Sequence, residues 1–469
     1  NPDWTRRRIR DAGYADARIP QVPSMLLELL SHQNFADMKY GLDPRFRFDV
    51  CRAVYKGILK YFSSTGACRY IVQPLPPDSF AIHASPLYGQ FRLSWSARSD
   101  SLEPTATPTK YMVEERIDRG IFKPVGTTDD TYMDVKINDT HIHSYRITAM
   151  NNGGSSFPSE TLALCAAGEK TPVMIVNGFT RVSGPYTFES GTLAGFDYKR
   201  DFGVPYMYDL AFSGEQTEFD RTDPFISNDH PGFGASRAYF DTDIAAGNTS
   251  DYVMRHGESI RRAGHPFISS SVSAFTADTL TRHAIVDMIF GKQKRVAMGR
   301  DSIGNDYAVF TPQLRHRLRQ LAESGTGIIV SGSYIGSDAW RDKNASADER
   351  DFAEHTLGYR WRSSRSTAIG KAHEVKSAVP VFGTGKLSFA MHLNSSIYSV
   401  ESPDAIMAAD SCSSVILRYD ENNYPAGIAY RGSEHRAIAL GFPIETIESD
   451  ADRHRFIRQA LEFITNKQD

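Results

Sequence analysis

The hydrophobic pattern changes character twice along the chain. Over 44–62, Phe48, Cys51, Val54, Tyr55, Ile58, Leu59 and Phe62 recur at spacings of three and four, which predicts a helix that buries one face. Asp43 followed by Pro44 supplies its N-cap and first-turn proline. Just upstream, Met25-Leu26-Leu27-Glu28-Leu29-Leu30 reads as a strand-like core run interrupted by one carboxylate. One helix and one strand cannot close a core, so 1–73 is expected to be the end of a larger domain. Past the proline-rich hinge at 73–77 the spacing switches to alternation, as in Phe91-Arg92-Leu93-Ser94-Trp95-Ser96 and again over 111–116 and 132–137, which predicts the short strands of a β-sandwich. From 170 onward apolar runs alternate with amphipathic stretches. Strands are expected at 173–176, 205–210, 267–272, 285–289, 326–330, 427–430 and 437–440, and helices at 312–324 and 452–466. Such alternation predicts an α/β domain with a largely parallel sheet. The expected organisation is therefore multidomain, with units at 1–73, 74–168 and 169–469.

Composition narrows the possibilities. With 469 residues the chain exceeds one ordinary core, and 41% hydrophobic and 23% charged residues are values of a folded globular protein. No run of eighteen apolar residues is present to span a membrane as a helix. A net charge of −3, from 53 basic and 56 acidic side chains, argues against a nucleic-acid binder, which needs a strongly basic surface. Cys51, Cys68, Cys165 and Cys412 show no CxxC spacing, so neither a zinc knuckle nor a redox motif is expected. The start at Asn1-Pro2-Asp3, without Met or an apolar signal, reads as that of an excised or processed piece.

A carboxylate inside an apolar run is costly unless it is paired or at work. The order carried by Ile19-Pro20 through Glu28 to His32 and Asn34, then Asp43-Pro44 and the amphipathic stretch containing Arg52 to Phe62, resembles the carboxyl-terminal end of zinc-dependent N-acetylmuramoyl-L-alanine amidases. The resemblance implies that Glu28 is catalytic, accepting the proton of a zinc-borne water and handing one to the leaving amine. It also implies zinc in the intact family member, held by ligands from strands this segment does not contain, so no metal and no amide hydrolysis are expected of this fragment. His32 is a candidate replacement ligand; as a histidine in a polar loop it also reads as an ordinary surface or capping residue.

The run from Tyr145 to Glu160, with Tyr145 at a tyrosine-corner position and Trp95 as the tryptophan of the second strand, resembles a fibronectin type III domain over 75–168. That family implies spacing or binding rather than chemistry.

In the α/β region any site should lie at the carboxyl ends of the strands. Two such ends stand out, 177–184 and 331–338. The second, together with Ala437 to Pro443 and a terminal helix, resembles class I glutamine amidotransferase-like (flavodoxin-like) domains, but no cysteine occupies the elbow. Ser333 is a candidate substitute nucleophile and His435 its candidate partner, although Gly332-Ser333-Tyr334-Ile335-Gly336 lacks the glycine two before serine of an esterase elbow. The alternative is turn chemistry, in which Gly and Ser simply reverse the chain. The loop at 228–236, with Asp241 and Asp243, reads as a cation or sugar site or as a surface excursion.

The arrangement as a whole resembles multidomain secreted proteins of Bacteroides-type bacteria that often carry a xanthan lyase label; the toroid-and-sandwich pattern of such a lyase is absent. It implies a secreted, periplasmic or cell-envelope location and peptidoglycan or another glycan as partner. Two functions follow: the carboxyl-terminal part of a cell-wall amidase, inactive as this fragment, with Glu28 as acid/base, or a non-catalytic glycan- or peptidoglycan-binding scaffold.

Overall fold

The structure, a computed structural model, describes residues 8–87, 89–191, 193–212, 219, 225, 242–298, 303–342, 344–376 and 379–466. After a single helical turn at Ala15–Arg18 come two helices, α1 (Phe35–Gly41) and α2 (Pro44–Ser64). The side chain of Asn34 accepts from Ala36 N at α1, and that of Asp43 accepts from Arg45 N at the start of α2, where Pro44 fills the first turn. The helix expected at 44–62 is therefore present. Its apolar face is not closed over: Phe48, Val54, Ile58, Tyr61 and Phe62 all remain exposed.

The strand expected around Glu28 is absent. Residues 23–31 form no strand or helix, Leu30 takes a left-handed backbone conformation (φ 67°), and Met25, Leu26, Leu27 and Leu29 are solvent-exposed. A strand needs a ladder partner for its backbone groups, and among the described residues none runs beside this segment. The run is apolar without being core.

The next eight strands form a sandwich: β1 (Asp78–Ala84), β2 (Gln90–Ser96), β3 (Lys110–Ile117), β4 (Lys123–Thr128), β5 (Tyr132–Lys136), β6 (His143–Asn151), β7 (Gly154–Pro158) and β8 (Leu162–Leu164). One layer has the order β1-β2-β5 and the other β4-β3-β6-β7, with β8 also pairing β6. This is the fibronectin type III arrangement. Alternation drives it: β2 buries Phe91, Leu93 and Trp95 and turns Gln90, Arg92 and Ser96 outward. Trp95 meets Tyr111 of the facing layer edge-on, with ring centroids 5.5 Å apart. Tyr145 occupies the corner, but its hydroxyl donates to Glu115 Oε1 at 2.5 Å, where the tyrosine corner ordinarily uses a backbone acceptor.

The following region holds β9 (Val173–Asn177), α3 (Val253–Arg262), β10 (Phe267–Ser271), α4 (Val272–Ala277), β11 (Ile285–Gly291), α5 (Pro312–Glu323), β12 (Gly327–Gly332), β13 (Lys371–Glu374), β14 (Lys386–Ser388), β15 (Ser413–Tyr419), β16 (Pro425–Arg431), β17 (Arg436–Leu440) and α6 (Asp450–Thr465). Strands β10, β9, β11, β12 and β17 are parallel neighbours in that order, so the five parallel strands, counted in chain order, run 2-1-3-4-5 across the sheet. Beyond β17 the sheet continues antiparallel through β16, β15, β13 and β14. Helices cover both faces. Val253, Ile260 and Phe456 of α3 and α6 pack on one side, and Phe275, Leu314 and Leu318 of α4 and α5 on the other. Central strands buried on both faces explain why the sequence there reads as continuous apolar runs. The strand expected at 205–210 is shifted to Tyr208–Phe212 and lies outside this sheet, in a two-stranded ribbon with Thr242–Ala246.

The sandwich and the α/β region share one sheet. β1 pairs antiparallel with β10 at Ala81 and Ser270, which joins β1-β2-β5 to the parallel strands as a twelve-stranded sheet. A second seam lies at Cys165 and Phe267, whose backbones exchange hydrogen bonds of 3.0 Å in both directions. Among the described residues no helix is long and apolar enough to cross a membrane.

Candidate functional site at the strand switch point

In the order 2-1-3-4-5, chain connections leave in opposite directions from β9 and β11, and a crevice at the carboxyl ends of those two strands is the ordinary ligand position of open α/β sheets. The segments leaving β9, β11 and β12 meet there. Gly178 N donates to Ile289 O at 2.8 Å, Ser333 N donates to Gly291 O at 2.8 Å, and the Gln293 side-chain oxygen accepts from Thr180 N and Arg181 N at 3.0 and 2.9 Å. Gly291 has φ 49°, and a Cβ there would lie 2.3 Å from the Phe179 ring, so this crossing requires glycine.

Onto this base the chain places a charged cluster. Arg181 Nη2 lies 2.6 Å from Asp201 Oδ2, Arg181 Nε donates to Ser183 Oγ at 2.9 Å, and Arg181 Nη1 donates to Lys292 O at 2.9 Å. Lys292 Nζ donates to Gly203 O at 3.0 Å, lies 3.5 Å from Asp201 Oδ1, and pairs with Glu401. Lys294 pairs with Asp201 and sits 4.5 Å above the Tyr334 ring. Burial opposes ionisation of Asp201, but Arg181, Lys294 and Lys292 outweigh it and hold its carboxyl well below the usual range. Burial, reinforced by Asp201 and Glu401, pushes the Tyr334 phenol well above its ordinary value. Tyr334 is therefore a neutral hydrogen-bond donor and not a phenolate nucleophile.

The loop after β12 is itself tied down. Gly336 N and Ser337 N donate to Asp404 Oδ2 at 3.0 and 2.6 Å, and Ser364 Oγ donates to Oδ1 at 3.0 Å. Asp338 accepts from Arg295 N and Val309 N at 2.7 and 3.0 Å. Burial raises the Asp404 carboxyl to about 7 and the Asp338 carboxyl to about 6.

The residues singled out from sequence fare unevenly. Ser333 is buried at the switch point, 1% exposed, and its hydroxyl has no hydrogen-bond partner among the described residues. His435 does not join it. In the paired strands Ser331 faces Leu440 and Ile328 faces Ala437, so Ser333 lies beyond the carboxyl end of β12 while His435 precedes the amino end of β17. At about 3.3 Å per strand residue the two are on the order of 20 Å apart, which rules out a Ser-His pair. His435 Nε2 instead bonds Thr356 O at 2.7 Å. Glu28 is exposed and lies far from the switch point in sequence, in the segment 23–31 that forms neither strand nor helix; His32 lies in a turn after it. Cys412 is exposed and unpaired, as Cys51 and Cys68 are. The loop 228–236 and Asp241 lie outside the described residues, and Asp243 falls on the ribbon strand Thr242–Ala246. Sequence reasoning passed over Asp201, Lys292, Lys294 and Glu401. The available signal was Lys292-Gln293-Lys294-Arg295, three cations in four positions directly after an apolar strand.

Zinc does not fit the described residues: no group of three or more His, Cys, Asp or Glu side chains among them could hold a metal ion.

No family model matches the chain, and no curated protein matches it. Among solved structures it is similar to domains A168–A170 of titin, with 23% identity over 19% of this chain, 30% of that chain and a TM-score of 0.17. It is similar also to a structure named FN3tt mut (18% identity, 20% of this chain, 96% of that chain, TM-score 0.17). A third likeness is to the twitchin kinase region of C. elegans (27% identity, 20% of this chain, 17% of that chain, TM-score 0.18). The chain thus spans under a third of the titin structure. The fibronectin type III assignment rests on the strand order of β1 to β8.

Proposed function

We propose that this chain is the non-hydrolytic, carboxyl-terminal part of a secreted cell-wall hydrolase resembling zinc-dependent N-acetylmuramoyl-L-alanine amidases, and that its fibronectin type III and glutamine amidotransferase-like α/β domains act as one rigid unit that binds peptidoglycan or another glycan. The observation that carries the binding role is the switch point itself. It collects cations, carboxylates and hydroxyls where open α/β sheets take ligands, while His435 lies out of reach of its serine and its tyrosine is held as a neutral phenol. Such a site is suited to hold and orient a polar ligand. The shared sheet keeps the two domains from swinging independently, which suits a spacer that fixes the distance between a surface and an enzyme. The test is co-sedimentation of the chain with purified peptidoglycan sacculi, alongside release of soluble muropeptides. Retention on sacculi without release is expected; release by the chain alone, or no retention, overturns the reading.

The amidase part of the proposal has its own support. Glu28 lies inside an exposed apolar run, Met25 (76% exposed) to Leu29, beside a helix whose apolar face is also open. Surface of that kind marks a contact region rather than ordinary solvent-facing chain. In this reading Glu28 accepts a proton from the attacking water and returns one to the leaving amine. Glu28→Gln in the longest natural form of the polypeptide should abolish peptide release from peptidoglycan, and full release by that variant removes the role.

A further inference from the structure

The switch-point cluster is unbalanced. Among the described residues three cations, Arg181, Lys292 and Lys294, share two carboxylates, Asp201 and Glu401, which leaves a formal charge of +1 in nearly closed surroundings. There, two hydroxyls make no hydrogen bond to the described residues: Ser333 Oγ and the Tyr334 OH, the tyrosine being only 5% exposed. A buried surplus charge and a buried unpartnered hydroxyl each cost free energy, and one oxyanion would relieve both. Asp404, the other carboxylate near Tyr334, is already occupied by Gly336 N, Ser337 N and the Ser364 hydroxyl. Burial pushes it up to about 7, so near neutrality it supplies only part of a counter-charge.

We propose that the switch point binds a monoanionic carboxylate, received by the Lys294 ammonium and the Tyr334 hydroxyl. Lys294 is the most open of the three cations, its side chain 20% exposed, and its Nζ lies 4.5 Å from the centre of the Tyr334 ring. Asp201 shows that these cations accept a carboxylate, since it already bridges Arg181 and Lys294. A dianion such as phosphate would exceed the single surplus charge and meet Asp201 and Glu401 at close range.

Resting on the cell-wall reading above, the carboxylate is the lactyl group of a muramic acid residue freed of its peptide. When water cleaves the muramoyl amide, its oxygen bonds to the carbonyl carbon, the C–N bond breaks, the nitrogen leaves as the peptide's amine with a proton from water, and the lactyl group becomes a carboxylate. The substrate amide is neutral at that atom and the product is an anion. A site selecting the anion would hold the chain on glycan that has already been cut.

The experiment is calorimetric and thermal-shift titration of the full chain with N-acetylmuramic acid, N-acetylglucosamine, acetate and inorganic phosphate. N-acetylmuramic acid should bind saturably and raise the Tm, and the neutral N-acetylglucosamine should not. Tyr334→Phe removes only an unpartnered hydroxyl, so it should keep or raise the Tm of the free protein while weakening the carboxylate about tenfold or more; Lys294→Gln should weaken it similarly. Binding of acetate and N-acetylmuramic acid at equal strength, still dependent on Tyr334, keeps the carboxylate site and removes the cell-wall ligand. No carboxylate binding, binding indifferent to Tyr334→Phe, or tighter binding of phosphate overturns the proposal. Should either variant fail to fold, slowed backbone hydrogen exchange at 332–336 of the unmodified protein on adding N-acetylmuramic acid supports the site, and its absence overturns it.

Discussion

His256 Nδ1 lies 2.7 Å from Asp287 Oδ2, and neither side chain reaches solvent. His256 comes from α3 and Asp287 from the middle of β11, so the contact crosses from helix to sheet. On its other side the imidazole Nε2 faces Glu445 Oε2 at 3.3 Å, and Tyr398 donates to Glu445 Oε1 at 2.5 Å. Burial alone would lower the imidazole pKa, but the two carboxylates outweigh it and raise it to about 9.

A folded pKa above the ordinary value of 6.5 means that the proton stabilises the fold. This contribution is complete below about pH 6.5 and is lost as pH climbs through about 9. Thermal unfolding between pH 6.5 and 9.5 should therefore show a falling Tm. His256→Gln should cost about 3–5 kcal/mol near neutrality, because it strands two buried carboxylates, and should flatten the alkaline decline. An undiminished alkaline slope in the variant would place its origin elsewhere.

The seam between the sandwich and the α/β region predicts cooperative unfolding. Ser269 Oγ accepts from Ala163 N at 2.8 Å and donates to Ala163 O at 2.7 Å, both fully buried, which stitches β10 to β8. Urea unfolding should give one transition, coincident by tryptophan fluorescence and by far-ultraviolet circular dichroism. Ser269→Ala leaves two backbone groups without partners and should cost about 1–3 kcal/mol or split the transition. Two separate transitions in the unmodified protein would show that the shared sheet does not couple the domains.

What the sequence discloses depends on how local the cause is. The runs at 285–289 and 326–330 are legible because a strand buried on both faces must be apolar throughout, and Asp43-Pro44 is legible because a cap acts on its own first turn. The switch-point cluster is not legible as a whole, since Lys292 and Glu401 are separated by 109 positions and Asp201 arrives from the opposite direction. The run at 25–30 misleads for a different reason. Apolar composition reports a preference for burial, and nothing in the six residues says whether a partner strand is there to provide it.

That same run makes a clean prediction about Glu28. Its side chain is exposed, so Glu28→Gln should leave the stability of this chain within about 0.5 kcal/mol of the original by urea denaturation. A loss well beyond that would give Glu28 a structural role in the fold.

Asp404 offers a test of how the loop after β12 is held. Its carboxyl is fully buried and its pKa is raised to about 7, burial outweighing the hydrogen bonds from Ser337, Ser364 and Gly336. The unfolded chain releases this proton near the ordinary carboxylate value of 3.8, so between about pH 4 and 7 the folded state holds the extra proton. Ionising Asp404 therefore costs stability, and that cost grows with pH until both states are ionised. Asp404→Asn keeps an oxygen to accept from Gly336 N and Ser337 N while carrying no charge to desolvate. The variant should equal or trail the original at pH 5 and gain on it by pH 8, seen as a crossing of the two Tm-against-pH curves. Parallel curves would mean that Asp404 is ionised throughout, with its three donors matching the cost of burial.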